Sequence, residues 1–107
     1  MGKYKEIDSA TLHKLNSVEQ VTLVDVRTEE ETSRGIIQGA LHIPLHLLPL
    51  RIDELDGDNP LVFYCHSGIR SAQASSYMTD QGRESTFNLH GGVLGWGAAG
   101  YTLVPKN

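Results

Sequence analysis

The single cysteine of this chain lies where a cysteine is expected to be a strong nucleophile. Cys65 follows the apolar run Leu61 to Tyr64 and precedes a segment in which small and apolar residues recur every three or four positions, as they do in a helix. A helix N-terminus carries partial positive charge and unpaired N–H groups, and Gly68 allows the loop N–H groups to turn inward. These features favour the thiolate, which is the reactive form of cysteine.

The residues that follow Cys65 provide groups that bind an anion. The candidate substrate-binding residues are His66, Ser67, Gly68, Ile69, Arg70 and Ser71. Arg70 supplies a permanent positive charge and His66 a titratable one, while Ser71 either donates its hydroxyl to the site or caps the helix. A cysteine that only fills a core needs none of these groups. We therefore predict that Cys65 is catalytic and that this loop binds the substrate.

Four segments of the chain resemble, in order, the signature segments of the rhodanese family of sulfurtransferases. They are Val24–Arg27, Gly35–Leu45, Cys65–Ser71 and Asn88–Trp96. The resemblance implies a rhodanese-like three-layer α/β fold with a mainly parallel sheet of about five strands flanked by helices. It also implies that Cys65 takes sulfane sulfur from a donor such as thiosulfate as a persulfide. The sulfur then passes to a thiophilic acceptor, which is cyanide in an assay and a thiol or a protein in the cell.

The strands and helices that must position this loop can be read along the chain. Strands are predicted at Tyr4–Ile7, Val21–Val26, Ile36–Ile43, Leu61–Tyr64 and Thr86–Leu89. Helical segments lie between them, and this alternation predicts an α/β fold with a mainly parallel sheet. They include a helix capped by Asp8 or Ser9, an acidic first turn at Glu29–Glu31, a helical stretch at Leu45–Leu55, a helix from Ser71 that ends before Gly82, and a last helix from Val93 with Trp96 in the core.

Two further sets of residues fall at the edge of the sheet where the Cys65 loop lies. Asp25 and Arg27 end the second strand, and in an open parallel sheet ligands bind beyond the carboxyl ends of the strands. An ordinary ion pair would explain these two residues, whereas the rhodanese resemblance implies that they support the site structurally. Gly91 and Gly92 follow the last strand and are also candidates to line the site.

Composition limits the classes of function and partner. The 107 residues suit one domain, spanning 1–107, and the net charge of -4 argues against nucleic acid or an anionic membrane as a partner. One cysteine rules out an internal disulfide and suits a reducing compartment. His42 and His46 are separated by Pro44, so no metal site is predicted, and no cofactor is expected. With no apolar leader and no long apolar run, we expect a cytoplasmic protein.

Alternative functions remain open at this point. Cysteine-dependent phosphatases and arsenate-reducing enzymes also use a cysteine loop with an arginine, but they resemble a pattern with five intervening residues, whereas four separate Cys65 from Arg70. A sulfur carrier without turnover, a redox-sensing or partner-binding module and a peroxide sensor would use the same cysteine. The expected partners are a small anionic sulfur donor and a thiol or protein acceptor. The sequence does not identify the physiological donor, the acceptor, the pathway or the oligomeric state.

Overall fold

The computed structural model describes residues 3–106, in which five strands alternate with helices. The strands are β1 (Lys5–Ile7), β2 (Thr22–Asp25), β3 (Leu41–His42), β4 (Leu61–Tyr64) and β5 (Thr86–Leu89). The α-helices are α1 (Ser9–Ser17), α2 (Glu29–Thr32), α3 (Ile69–Asp80) and α4 (Gly92–Ala98), and two 3₁₀ helices span Leu45–Leu50 and Ile52–Leu55. The predicted α/β class is therefore confirmed.

The five strands form one parallel sheet in the order β1-β5-β4-β2-β3. In this order, β3 follows β2 in one direction, whereas β5 follows β4 in the opposite direction. The boundary between the paired strands β2 and β4 is therefore a topological switch point, where ligands bind beyond the carboxyl ends of parallel strands. Asp25 and Tyr64 are register partners at this point, so Cys65 begins its loop at the switch.

The central strand β4 is apolar on both sides because helices cover both faces of the sheet. Leu61 and Phe63 pack in a core cluster with Ala74 and Met78 of α3 and with the 3₁₀ helices. Val62 and Tyr64 belong to the other cluster, which includes Leu12 of α1 and Trp96 of α4. Alternate side chains thus anchor β4 in two layers, which fixes the position of the residue that follows it.

The structure differs from the sequence prediction at the start of α3 and in the segment Ile36–Ile43. Helix α3 begins at Ile69, after Gly68 in a left-handed conformation, so Ser71 lies inside its first turn and does not cap it. In the predicted strand Ile36–Ile43, only Leu41–His42 joins β2 in the sheet, because Gly35 and Gly39 have positive φ and turn the chain. Ile36 instead forms an antiparallel bridge with Val104.

Two helix ends carry the caps that the sequence predicted, the start of α1 and the end of α3. Asp8 is the N-cap of α1, and its carboxylate accepts a hydrogen bond from the N–H of Thr11 at 2.8 Å. Gly82 has a positive φ just after α3, as expected of a glycine that ends a helix. Within residues 3–106, none of the helices is both long enough and apolar enough to cross a membrane.

A buried ion pair fixes the end of β2 to the turn before β3. The Arg27 guanidinium donates to both carboxylate oxygens of Asp25, with an Nη2 to Oδ2 distance of 2.8 Å, and the side chains are 5% and 0% exposed. The same Nη2 donates to the carbonyl of Gly35 at 2.7 Å. From the other side of this turn, the N–H of Ile37 donates to the Tyr64 hydroxyl at 2.9 Å. These bonds join β2, β4 and the 35–37 turn beneath the Cys65 loop.

Replacing Asp25 by alanine should destabilise the fold strongly, because it leaves the Arg27 charge buried without its partner. We expect a loss of about 3–5 kcal/mol in the free energy of unfolding, measured by urea denaturation. Glu30→Ala is the matched control, since Glu30 and its partner Arg34 are 84% and 69% exposed and their pair should contribute less than about 1 kcal/mol. Equal losses in the two variants would contradict this role of Asp25.

Candidate active site

The Cys65 sulfur lies at the carboxyl end of β4, enclosed by hydrogen-bond donors of its own loop. The residue is 1% exposed. Its Sγ accepts from the N–H of Gly68 at 3.1 Å, from the N–H of Ser71 at 3.4 Å and from the hydroxyl of Ser71 at 3.3 Å. Of the two roles left open for Ser71, the structure thus shows its hydroxyl directed to the sulfur.

These donors change the acidity of the thiol. Burial by itself raises the pKa of Cys65, but the hydrogen bonds from the Ser71 hydroxyl and from the N–H groups of Ser71, Gly68 and Ser67 outweigh it, so the pKa is held below its ordinary value. A larger fraction of the sulfur is therefore thiolate at neutral pH than in a free cysteine. The donors that hold the thiolate are also placed to hold negative charge on an atom attached to it.

Helix α4 holds the loop in the conformation that turns these N–H groups inward. The first free N–H groups of α4 bind loop carbonyls: Val93 donates to Cys65 at 2.9 Å and Leu94 donates to His66 at 3.2 Å. Gly92 makes this approach feasible, because a Cβ on this residue would lie 2.5 Å from the carbonyl oxygens of both Cys65 and His66. Gly92 was a candidate to line the site, and the structure places it directly behind the loop backbone.

The N-terminus of α3 is fixed by a second contact, from β5. The Asn88 side chain is buried, and its Nδ2 donates to the carbonyl of Gly68 at 3.3 Å and to the Glu6 carboxylate at 3.1 Å. Asn88 thus ties the left-handed Gly68, which precedes α3, to both β5 and the edge strand β1. Sequence reasoning placed Asn88 only within a signature segment and assigned it no contact.

Arg70 is held by Glu31, a residue that was not predicted to belong to the site. Its Nη1 and Nη2 donate to the two carboxylate oxygens of Glu31 at 2.7 Å and 2.8 Å. Glu31 also accepts from the N–H of Thr28 at 3.0 Å, and its own N–H donates to the Thr28 hydroxyl oxygen at 3.2 Å, which forms a capping box at the start of α2. The hydrogen bond from Arg70 is the main reason why the pKa of Glu31 is lowered to about 2.

The spacing Thr28-x-x-Glu31 was a signal for the capping box, whereas nothing local pointed to Arg70. Glu29–Glu31 were interpreted only as acids that complement the helix dipole, and this holds for the first turn of α2. The pairing itself joins residues 39 positions apart. Glu31 is therefore part of the site that sequence reasoning missed.

The other predicted residues take several positions. His66 and Ser67 are exposed on the loop, and Ile69 is 72% exposed at the start of α3. Asp25 and Arg27 lie at the same edge of the sheet and form the buried pair described above. Of the two histidines considered for a metal, His42 has Nε2 at 2.8 Å from the carbonyl of Arg27 and Nδ1 at 2.8 Å from Lys106 Nζ, so it is used in hydrogen bonding.

The fold agrees with comparisons to known proteins. The model of the family described as "Rhodanese-like domain" matches residues 8–99. The chain belongs to the rhodanese family. A sulfurtransferase of Allochromatium vinosum is 44% identical to this rhodanese domain over 100 residues, which cover 92% of the chain and 94% of the relative. The thiosulfate sulfurtransferase GlpE of Shewanella oneidensis is 31% identical over 96 residues, covering 90% and 95%.

A solved structure confirms the architecture of this rhodanese domain. The rhodanese-related protein of Thermoplasma volcanium superposes with a TM-score of 0.87 at 28% sequence identity, covering 96% of this chain and 100% of that one. The family and fold inferred from the four sequence segments are therefore confirmed.

Substituting Gly92 should disturb both the stability of the domain and the reactivity of Cys65. Gly92→Ala should lower the free energy of unfolding by about 2–4 kcal/mol and displace the loop. The reason is that the new Cβ would touch two loop carbonyls, on a residue with φ +56. Gly97→Ala is the control, because Gly97 lies in the same helix and has open space around it, so this change should be neutral or stabilise by up to about 1 kcal/mol. Urea denaturation and iodoacetamide labelling of Cys65 measure the two effects. A Gly92→Ala variant that matches Gly97→Ala in both would refute the close approach.

Removing the Ser71 hydroxyl should raise the pKa of the Cys65 thiol. Because the hydroxyl favours the thiolate, the pH profile of iodoacetamide alkylation should shift to higher pH in Ser71→Ala. The rate at neutral pH should fall by roughly threefold to tenfold, as expected for the loss of about 1 kcal/mol of hydrogen bonding. Ser75→Ala is the control, since this buried serine one turn along α3 donates to the carbonyl of Ser71 and not to the sulfur. An unshifted Ser71→Ala profile would show that the hydroxyl does not stabilise the thiolate.

Proposed function

We propose that this rhodanese domain is a sulfurtransferase that carries sulfane sulfur as a persulfide on Cys65. The observation that carries the proposal is the set of three hydrogen bonds, from Gly68 and Ser71, that converge on the Cys65 sulfur at the start of α3. Membership of the rhodanese family and relatives named as sulfurtransferases support the same chemistry.

In the first half-reaction the Cys65 thiolate attacks the outer sulfur of the donor. With thiosulfate, the S–S bond of the donor breaks, its electron pair leaves with sulfite, and a new S–S bond forms on Cys65. The thiolate and the dianion together carry three negative charges, and the persulfide anion and sulfite carry the same three. The leaving-group quality of sulfite and the thiolate fraction of Cys65 govern the rate, as they do in thiol–disulfide exchange.

In the second half-reaction an acceptor nucleophile attacks the outer sulfur of the persulfide. Cyanide would take this sulfur as thiocyanate, and a thiol or a protein thiolate would take it as a new persulfide. In each case the Cys65 thiolate is the leaving group, and the N–H groups of Gly68 and Ser71 that hold it in the resting domain stabilise it as it departs. Both half-reactions balance without a cofactor.

The remaining loop residues have supporting roles in this scheme. The loop His66–Ser71 binds the donor, and the buried pair Asp25–Arg27 holds β2 and the 35–37 turn beneath the loop. The partners are a small sulfur donor, with thiosulfate as the reference compound, and a thiol or protein acceptor. An unpaired cysteine of lowered pKa must stay reduced in order to act, so we place this activity in the cytoplasm.

Steady-state kinetics with thiosulfate and cyanide test this function directly. The covalent intermediate predicts ping-pong kinetics, with parallel double-reciprocal lines when thiocyanate release is measured against both substrates. Cys65→Ser should reduce the rate to the uncatalysed background. Intersecting lines, or turnover retained by Cys65→Ser, would contradict a persulfide on Cys65. A single turnover without a steady state would indicate a sulfur carrier in place of an enzyme.

A further inference from the structure

The permanent positive charge of the Cys65 loop is already paired in the resting domain. Arg70 is the only lysine or arginine in the segment Cys65–Ser71, and each of its terminal nitrogens donates to one oxygen of Glu31. This parallel arrangement is the one in which a guanidinium binds a carboxylate, a phosphate or a sulfonate most tightly. A sulfonate that bound end-on across both terminal nitrogens of Arg70 would need the positions that the Glu31 carboxylate occupies.

Glu31 is held in place independently of Arg70, so it is not easily displaced. Thr28 donates its N–H and its hydroxyl to Glu31 Oε1, and helix α2 begins at this point. The Glu31 and Arg70 side chains are only 24% and 34% exposed. The carboxylate stays ionised into the acidic range, because the pKa of Glu31 is lowered to about 2, chiefly by Arg70.

The neighbouring charges do not replace the one that Glu31 neutralises. The Arg27 charge is buried and paired with Asp25. In the turn between β5 and α4, His90 Nδ1 lies 3.5 Å from the Glu6 carboxylate, so this histidine also faces an acid. His66 is exposed on the loop, and an imidazole is not a permanent positive charge as a guanidinium is. The N–H groups of the loop therefore suit the Cys65 thiolate. The loop offers little net positive charge to attract a dianionic sulfur donor such as thiosulfate.

We propose, on the premise that the domain is a sulfurtransferase, that Glu31 is a specificity-determining residue. By occupying both terminal nitrogens of Arg70, it makes the site select a persulfide donor that lacks a sulfonate over thiosulfate. In the corresponding step, the Cys65 thiolate attacks the outer sulfur of the donor R–S–SH. The S–S bond of the donor breaks, R–S⁻ leaves with the electron pair, and Cys65–S–SH forms with no net oxidation or reduction.

The test compares two donors in wild type, Glu31→Gln and Glu30→Gln, with cyanide as the acceptor. The donors are thiosulfate and the persulfide of N-acetylcysteamine, whose thiol part is uncharged, and Cys65→Ser supplies the uncatalysed background. Glutamine keeps the capping box with Thr28, so Glu31→Gln should fold, which its urea midpoint checks. Glu30→Gln removes the same charge one residue away, from a side chain that is 84% exposed.

Wild type should turn over the persulfide with a higher kcat/KM than thiosulfate. Glu31→Gln should lower the KM for thiosulfate by about fivefold, with little change in kcat and none in the persulfide KM. Thiosulfate then no longer competes with an ion pair worth about 1 kcal/mol, which corresponds to about fivefold in affinity. Glu30→Gln should leave both values within about a factor of two. Adding Arg70→Gln to Glu31→Gln should abolish the gain, since the gain requires the freed guanidinium.

The outcomes separate this inference from the proposed function. Turnover of both donors with a thiosulfate KM that Glu31→Gln leaves unchanged or raises would overturn the role of Glu31 and leave the sulfurtransferase assignment intact. No turnover with either donor in wild type would overturn both.

One measurement on wild type needs no variant. Sulfate should protect Cys65 from iodoacetamide only weakly. Saturable protection at submillimolar sulfate would show that Arg70 is open to anions and would contradict the inference.

Discussion

The chemistry of this domain depends on the way the backbone from Cys65 to Ser71 is oriented. Its N–H groups can converge on the sulfur because the carbonyls of Cys65 and His66 point the other way, to the N–H groups of Val93 and Leu94. Helix α4 thus uses its free N-terminal donors to hold a loop and not a ligand. The N-terminus of α3 is left to the thiolate, and the close contact requires a glycine at 92.

Most of the charged side chains around this centre are paired with one another. Asp25 neutralises Arg27 below the loop, and Glu31 neutralises Arg70 beside it. Burial opposes the thiolate of Cys65, and hydrogen bonds from the Ser71 hydroxyl and from loop N–H groups are the main causes that lower its pKa. Such a site stabilises the single negative charge of the Cys65 thiolate better than it attracts a dianion from solution. The same arrangement of charges therefore affects both the acidity of the thiol and the choice of sulfur donor.

The sequence predicted what is encoded locally and missed what depends on distant pairing. The apolar run before Cys65 and the Asp8 cap each act within a few residues, so the strand β4 and the start of the first helix were predicted correctly. The strand order could not be predicted, because parallel pairing joins strands far apart in the chain. The bonds from Val93 and Leu94 are made by backbone N–H groups, which leave no mark in side-chain type. The Glu31–Arg70 pair spans 39 positions, and its glutamate had a sufficient local explanation as a helix-start acid.

The most direct test of the central claim is the intact mass of the purified chain before and after a sulfur donor, and again after cyanide. Wild type and Cys65→Ser would be measured side by side, with thiosulfate and with N-acetylcysteamine persulfide. A gain of one sulfur atom on wild type alone, removed by cyanide with release of thiocyanate, is the predicted result. No gain with either donor, an equal gain on Cys65→Ser, or an added mass that cyanide does not remove, as in a sulfinic acid, would contradict a persulfide on Cys65.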